Sequence, residues 1–279
     1  MDIGLALPTT VPDLTGPKLL EWARRADRLG FSTLGVLDRI VYPNYESLLA
    51  LTAAAAVTER IKLATTILIA ACRDSALLAK QVATLDHLSG GRLVLGLASG
   101  DREDDFAATG TPFAGRGKRL DTVVRELRTA WSEASPGLSP RRQPPLLIGG
   151  HSTAAMRRSA RVGDGWIGGG SSVSRYADLA ARVRAEWRRQ GRTEAPKLLA
   201  LSYVALGPGG REQAEGYLSG YYAFVGDKAA MVVSGVATEP GRLRELAHGY
   251  AEAGCDELIL LPCSADPGQV DLIADAALN

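Results

Sequence analysis

The chain lacks the features that mark several large classes of protein. No segment approaches the roughly 18 uninterrupted apolar residues of a membrane span. The longest candidate, Leu48 to Val57, is alanine-rich, gives way at once to Thr58, Glu59 and Arg60, and reads as a buried helix. The N-terminus, MDIGLALPTTVPD, has an acidic second residue and no basic stretch before a long apolar core, so no signal peptide is expected. Cysteine is scarce. Cys72, Cys255 and Cys263 are an odd set without CxxC or Cys/His spacing, which excludes a disulfide framework and a zinc site and fits a reducing cytoplasm. Neither sign of charge dominates, with 32 Lys plus Arg against 31 Asp plus Glu. A net charge of +1 gives no basic field to hold phosphate backbones or anionic lipid, so neither nucleic acid nor a membrane is expected as a partner. Of the 32 cations, 26 are arginine, the type suited to bidentate oxyanion contacts.

Familiar catalytic signatures are missing as well. There is no GxSxG elbow, HExxH helix or Walker glycine loop, and LALP, the end of the first apolar run, is followed by TTVPD rather than by GxGxxG. Serine hydrolase, zinc protease, P-loop and nicotinamide Rossmann readings therefore have no support. Of three histidines, His87 lies late in a helical stretch between Asp86 and Leu88, and His248 sits in a polar late helix; only His151 falls at a strand end. A chain so poor in nucleophiles and metal ligands fits chemistry carried by an organic cofactor that the protein orients.

What is present is a regular alternation of short apolar runs and helical stripes. The 279 residues, 46% hydrophobic and 23% charged, suit a soluble globular protein, and a barrel of about 250 residues is as admissible as two smaller domains. Strand starts are expected near Ile3, Thr33, Ile61, Arg92, Pro145, Gly165, Leu198 and Asp256, spaced by about 36 residues, the length of a βα unit with some insertion. IKLATTILIA, RLVLGLASG and DELILLP are nearly continuous, as parallel strands covered on both faces should be. Between them run helical stripes: Leu19, Leu20, Ala23, Ala26 and Leu29 closed by Gly30; Leu77, Leu78, Val82, Leu85 and Leu88 closed by Gly90 and Gly91; Leu120, Val123, Val124, Leu127 and Trp131. Pro136 to Gln143 reads as a loop, and residues 207–238 read as inserted helices after strand 7. The expected fold is α/β, a (β/α)8 barrel forming a single domain over residues 1–279.

In such a barrel the active residues lie at the C-terminal strand ends. That rule selects Pro8 to Thr10, Asp38 with Arg39, Thr65 with Thr66, Ser99 to Arg102, Gly149 to Thr153, Gly168 to Ser171, and Pro262 with Cys263. Asp38 and Arg39 with Asp101 and Arg102 form a charged quartet from strands 2 and 4. It is either a catalytic cluster facing across the mouth or two adjacent ion pairs on the rim. Gly149, Gly150, His151, Ser152 and Thr153 precede a helical run, and a glycine turn with a Ser or Thr cap leaves helix N–H groups for a phosphate, with Arg116 and Arg119 within its neighbourhood. The same turn also serves a barrel that binds nothing there.

Three blocks carry a resemblance: ADRLGFSTLGVLD (26–38), LLAKQVATLDHLSGGRLVLGLASG (77–100) with DDFAATGTPFAGRGKRLD (104–121), and PPLLIGGHSTAAMRRSARVGDGWIGGG (144–170). Together they resemble the bacterial luciferase-like flavin-dependent oxidoreductases. The resemblance implies a (β/α)8 barrel with an insertion after strand 7, commonly a homodimer, and a flavin at the C-terminal mouth. It places the cofactor phosphate near Gly149, Gly150, His151, Ser152 and Thr153 with Arg116 or Arg119 as partners. The ring would lie over Thr65, Thr66 and Ser99 to Arg102, against a non-proline cis peptide expected at Thr66–Ile67. Many relatives carry His after the acid that ends strand 2, where this chain has Asp38 followed by Arg39. Arginine cannot act as a base near neutral pH, which makes Asp101 the candidate acid or base, with Arg39 and Asp38 beside it. Trp166, Tyr221 and Tyr222 are expected in the substrate wall, and residues 207–238 as a lid. The implied activity is oxygenation of a small-molecule substrate with O2 and reduced FMN from a separate flavin reductase. The alternatives are hydride transfer with coenzyme F-420, a flavin-binding protein without turnover, and a non-flavin lyase or isomerase acting on a phosphorylated metabolite.

Overall fold

Eight parallel strands close on themselves: β1 (Asp2–Ala6), β2 (Thr33–Val36), β3 (Lys62–Thr65), β4 (Leu93–Ala98), β5 (Leu146–Gly149), β6 (Gly165–Gly169), β7 (Lys197–Val204) and β8 (Glu257–Pro262). Each begins within one residue of its expected start. The computed structural model describes residues 1–132, 137, 139–170 and 172–278, apart from the side chains of 225 and 227–229. Ser171 and two positions of the expected loop, Pro136 and Leu138, lie outside the described residues. Closure is made by β1 against β8, in register from Asp2↔Glu257 to Leu5↔Leu260. After β3 the chain passes through a cis peptide at Thr66–Ile67, the expected position, and Leu68–Ile69 then pairs with Leu97–Ala98 of β4. The fold is the expected (β/α)8 barrel.

Helices cover the barrel by burying apolar faces against it. In α1 (Gly16–Leu29), Pro17 stands in the first turn, Leu19, Trp22, Ala23 and Ala26 are buried at helical spacing, and Gly30 ends the helix at φ 99°. In α3 (Ser75–Ser89), capped by Asp74 on the Leu77 amide, Leu78, Val82 and Leu85 point inward. Leu77 and Leu88, expected on that same buried stripe, are 57% and 61% exposed. They flank the inward face, since their neighbours Leu78 and Leu85 occupy its centre. The remaining shell comprises α2 (Ser47–Ala55), the short α4 (Glu103–Ala108), α5 (Arg116–Ala130), α6 (Thr153–Val162), α7 (Val173–Arg189), α10 (Pro240–Glu252) and α11 (Gly268–Ala277). The insertion after β7 supplies α8 (Gly210–Tyr221), a 3-10 turn over residues 223–228 and α9 (Ala229–Ser234).

The strands separate two apolar layers. Between sheet and helices lie Trp22, Leu34, Leu63, Leu95 and Trp187. Inside the barrel Ala6, Leu147, Ile167, Leu199, Leu201 and Ile259 pack together, continued at the C-terminal end by Tyr203, Tyr217 and Tyr221. Space in the inner layer is rationed by glycine. A Cβ on Gly96 would lie 2.2 Å from the Thr65 carbonyl oxygen and 2.7 Å from Ile167 Cδ1. Gly96→Ala is therefore expected to lower stability by about 1–3 kcal/mol or more through overpacking. A fall in thermal midpoint checks this, and an unchanged midpoint contradicts it.

Candidate active site

Asp38 ends up as a structural clamp. Its carboxylate, 1% exposed, accepts from Ser47 Oγ at 2.7 Å and the Ile69 amide at 2.8 Å, and pairs with Arg73 at 2.9 and 3.1 Å. This joins the end of β2 to the first residue of α2 and to the segment just beyond the cis peptide. Arg39 turns the other way. Its Nε donates to Asp105 at 2.7 Å and Nη2 lies 3.5 Å from Asp104. Asp105, 1% exposed at its side chain, also accepts from the amides of Ile40 at 2.9 Å and Val41 at 3.0 Å, so one carboxylate on α4 fixes the turn after β2.

The expected charged quartet is corrected accordingly: Asp38 does not pair with Arg39, nor Asp101 with Arg102. Chain neighbours on an extended strand end point to opposite sides, and each arginine finds a carboxylate on α4 instead. Arg102 pairs with Asp104, holding that carboxyl down to about 2, and its guanidinium lies 4.1 Å from the centroid of Phe224 in the insertion. Asp101 is exposed and makes no ion pair or hydrogen bond among the described residues. Asp105, which organises the cluster, was missed by the sequence reading. In the acidic run of DREDDF only the helical phase of α4 distinguishes the buried carboxylate from its neighbours.

Thr65 at the end of β3 and Thr66 after it spend their hydroxyls on the barrel. Thr65 Oγ1 donates to the Gly96 carbonyl at 2.8 Å and accepts from the Gly96 amide at 2.9 Å; Thr66 Oγ1 donates to the Val36 carbonyl at 3.1 Å. The side chain that leaves the cis peptide for the mouth is Ile67, and it reaches Gly149. A Cβ there would stand 2.1 Å from Ile67 Cδ1. Gly149 is thus the seat of Ile67. Ser99 is half-buried beside this arrangement.

At the end of β5, Gly150 takes φ 117° and Ser152 caps α6, its Oγ accepting from the Ala155 amide at 3.1 Å. His151, Ser152 and Thr153 are exposed, and Thr153 Oγ1 accepts from Arg182 at 2.9 Å. Crowding by protein and the nearby Arg175 charge hold the His151 imidazole below its ordinary pKa. Trp166 is corrected from wall to support. It is fully buried in the outer layer, 5.6 Å from the Tyr176 ring, and its Nε1 donates to the Gly150 carbonyl at 2.9 Å. Successive side chains of the strand alternate between faces, and Ile167 takes the inward position. Arg119 stitches backbone, donating to the carbonyls of Ala71 at 3.3 Å, Ala114 at 2.9 Å and Pro112. Arg116 gives only its Nε, to the Gly100 carbonyl at 2.9 Å, and lies 3.9 Å over the Phe113 ring.

Above the strand ends sits a roof of phenols. Tyr42 packs edge-on against Tyr221 at 5.0 Å, Thr10 Oγ1 and the Tyr217 hydroxyl are 2.6 Å apart, and the hydroxyls of Tyr203 and Tyr222 are 3.0 Å apart. Burial pushes the phenols of Tyr203, Tyr217, Tyr221 and Tyr222 up, so all stay protonated at neutral pH. Tyr221 and Tyr222 were expected at the mouth; Tyr42, Tyr203 and Tyr217 were not. The spacing of Tyr217 and Tyr221, one turn of α8 apart, was the available signal. Among the described residues no cluster of His, Cys, Asp or Glu could hold a metal ion, and no helix is long and apolar enough to cross a membrane.

The family model for luciferase-like monooxygenases matches residues 1–259. The chain belongs to that family. An uncharacterized protein of Mycobacterium tuberculosis is 32% identical to it over 218 residues, 64% of this chain and 75% of the relative. An FMNH2-dependent dimethylsulfone monooxygenase of Pseudomonas putida is 29% identical over 166 residues, 53% of this chain and 46% of that one. An F420-dependent secondary alcohol dehydrogenase, solved with an F420-acetone adduct, superposes with a TM-score of 0.85 at 17% identity over 99% of this chain and 98% of that one, a likeness of fold. Family members thus use either flavin or the deazaflavin coenzyme at this type of barrel.

In this luciferase-like barrel the Arg39–Asp105 pair, 8% and 1% exposed, is the buried charge contact of the mouth. Asp105→Asn should cost about 3 kcal/mol, because it leaves a buried guanidinium short of its partner. Asp101→Asn should stay within about 0.5 kcal/mol as an unpaired surface change. Denaturant midpoints compare the two, and equal losses would overturn this reading.

Proposed function

We propose that this protein is an oxidoreductase that accepts reduced FMN from a separate flavin reductase and uses O2 to oxygenate a small organic substrate. The observation that carries the reading is the roof itself: five tyrosines, with Ile67 across from Gly149, cover part of the mouth and would shield a reacting centre beneath them from water. When bound, reduced FMN supplies two electrons to O2, one oxygen atom entering the substrate and the other leaving as water.

The residues fit such a cofactor. The first turn of α6 is open: the side chains of His151, Ser152 and Thr153 reach solvent, and Ser152 Oγ satisfies only the Ala155 amide, which leaves the amides of Thr153 and Ala154 for a phosphate. The terminal nitrogens of Arg116 are the better placed second contact, since Arg119 is committed to carbonyls. Ile67 would support the ring near Ser99 and Arg102. Arg39, held in place by Asp104 and Asp105, keeps a fixed positive charge at the mouth that favours an anionic reduced ring or substrate. Tyr222 and Tyr203 hold their protons, and Asp101 stands exposed at the rim.

Coenzyme F-420 is the second reading, favoured by Arg175 and Arg182 beyond the α6 N-terminus, where an acidic tail would meet cations. Anaerobic titration with FMN, FMNH2 and F-420, followed by absorbance, decides. Preferred FMNH2 binding with O2-dependent reoxidation supports the proposal, and selective F-420 binding replaces O2 chemistry with hydride transfer. Flavin binding without turnover on any substrate indicates a carrier. Failure to bind any of the three overturns the site and returns a lyase or isomerase of a phosphorylated metabolite.

The same reading takes the protein as a cytoplasmic homodimer, one barrel domain per subunit with residues 207–238 as its lid. The sequence of α2, SLLALTAAA, has no polar face; Leu49 is 70% exposed, and Leu77 and Leu88 stand exposed on α3, against which α2 packs. A helix apolar all round is a helix covered on both sides. Leu49→Glu with Leu77→Glu is expected to halve the mass in solution seen by light scattering, and a monomeric unsubstituted protein would overturn the dimer.

A further inference from the structure

A cavity of about 900 Å³, lined by none of the residues of the α6 turn, lies where β6 stops and β7 runs on beneath the insertion. Its volume is within the range of small-molecule sites. The first turn of α7, residues 201–203 of β7, helix α9 and one face of α10 border it. Two features give it a direction. At the outer end stand Arg175 and Arg242. Arg242 is balanced by Glu245 at 3.1 Å, whereas Arg175 makes no ion pair or side-chain hydrogen bond among the described residues. At the inner end stands Tyr203, whose hydroxyl is 3.0 Å from that of Tyr222 in the roof. Between the ends Val232 and Leu246 line it beside Ser202 and Ser234, and Met231, 74% exposed, borders it.

We infer that this cavity binds an anionic amphiphile, its carboxylate or phosphate on Arg175 and its apolar body laid along Val232 and Leu246 toward Tyr203. The inference deepens the proposed function, on which it rests for placing the reacting centre beyond Tyr203: it gives the substrate class as an organic acid rather than a neutral hydrocarbon. The same chemistry could come from an acidic extension of the cofactor, because Arg175 also adjoins His151 at the α6 turn. The anion is read in either case, and competition separates the two sources.

The experiment compares decanoate with decanol by calorimetric titration of the purified protein. The unsubstituted protein is expected to bind decanoate about tenfold more tightly, the worth of a charge-assisted contact. Arg175→Gln, a change at an exposed side chain, should bring the two ligands within about twofold, and Arg175→Lys should restore most of the preference. Leu246→Trp, which fills the cavity, should remove binding of both; its melting curve shows whether it is folded. Equal affinity for decanoate and decanol, or a preference untouched by Arg175→Gln, overturns the inference. Displacement of decanoate by F-420 and not by FMN assigns the anion to the cofactor, and binding alongside both assigns it to the substrate. Selective decanoate binding by a protein that takes neither coenzyme would leave the cavity standing and remove the proposed function, whereas coenzyme binding without the decanoate preference would do the reverse.

Discussion

The carboxylate of Asp38 holds three stretches of chain that have no other reason to meet. By accepting from Ser47, from the Ile69 amide and from Arg73, it fixes the exit from β2, the start of α2 and the chain just beyond the cis peptide to one point under the barrel rim. Ile67 can lie over Gly149 because Ile69, two residues on, is anchored. The direction of Ile67 then sets the shape of the floor between β3 and β5. A buried charge is costly unless its lone pairs are filled, and here they are filled by four contacts from three donor groups, so the clamp is a fixed point and not a reactive group.

Asp105 does the corresponding work one layer out. It binds two amides and a guanidinium from the turn after β2, so Arg39 is immobile, and Asp104 beside it steers Arg102 to the Phe224 ring of the insertion. The two arginines differ in what holds them. Arg39 is buried with its partner, whereas Arg102 is clasped between a 40% exposed carboxylate and an aromatic ring that itself reaches solvent. Screening by water weakens the second contact far more than the first. The charged turn is therefore rigid, and the link from the rim to the insertion is the part that can open.

How much of this was legible followed from how local each determinant is. Strand starts, the Gly30 and Ser152 caps and the insertion after β7 are written in residues close together in sequence, and they stand where the sequence placed them. The cis peptide came with the resemblance. Charge pairing was not legible, because Arg39 and Asp105 are 66 residues apart and become partners only when the short helix α4 sets its phase. Trp166 looked like a mouth residue by position, but a strand alternates its faces and Ile167 holds the inner one. Leu77 and Leu88 matched a helical stripe in spacing and still face outward, since a wide apolar stripe says nothing about which part meets the core.

The placement of titratable groups bears on how the proposed chemistry would run. The position after Asp38 holds a guanidinium that never releases a proton, and His151 sits at the turn before α6 with its pKa depressed. The buried phenols of the roof are shifted in the opposite sense and stay neutral. Inside the mouth, then, the groups available near neutral pH are hydrogen-bond donors of fixed protonation. For the proposed oxygenation, the proton for the released water would come from solvent at the exposed rim.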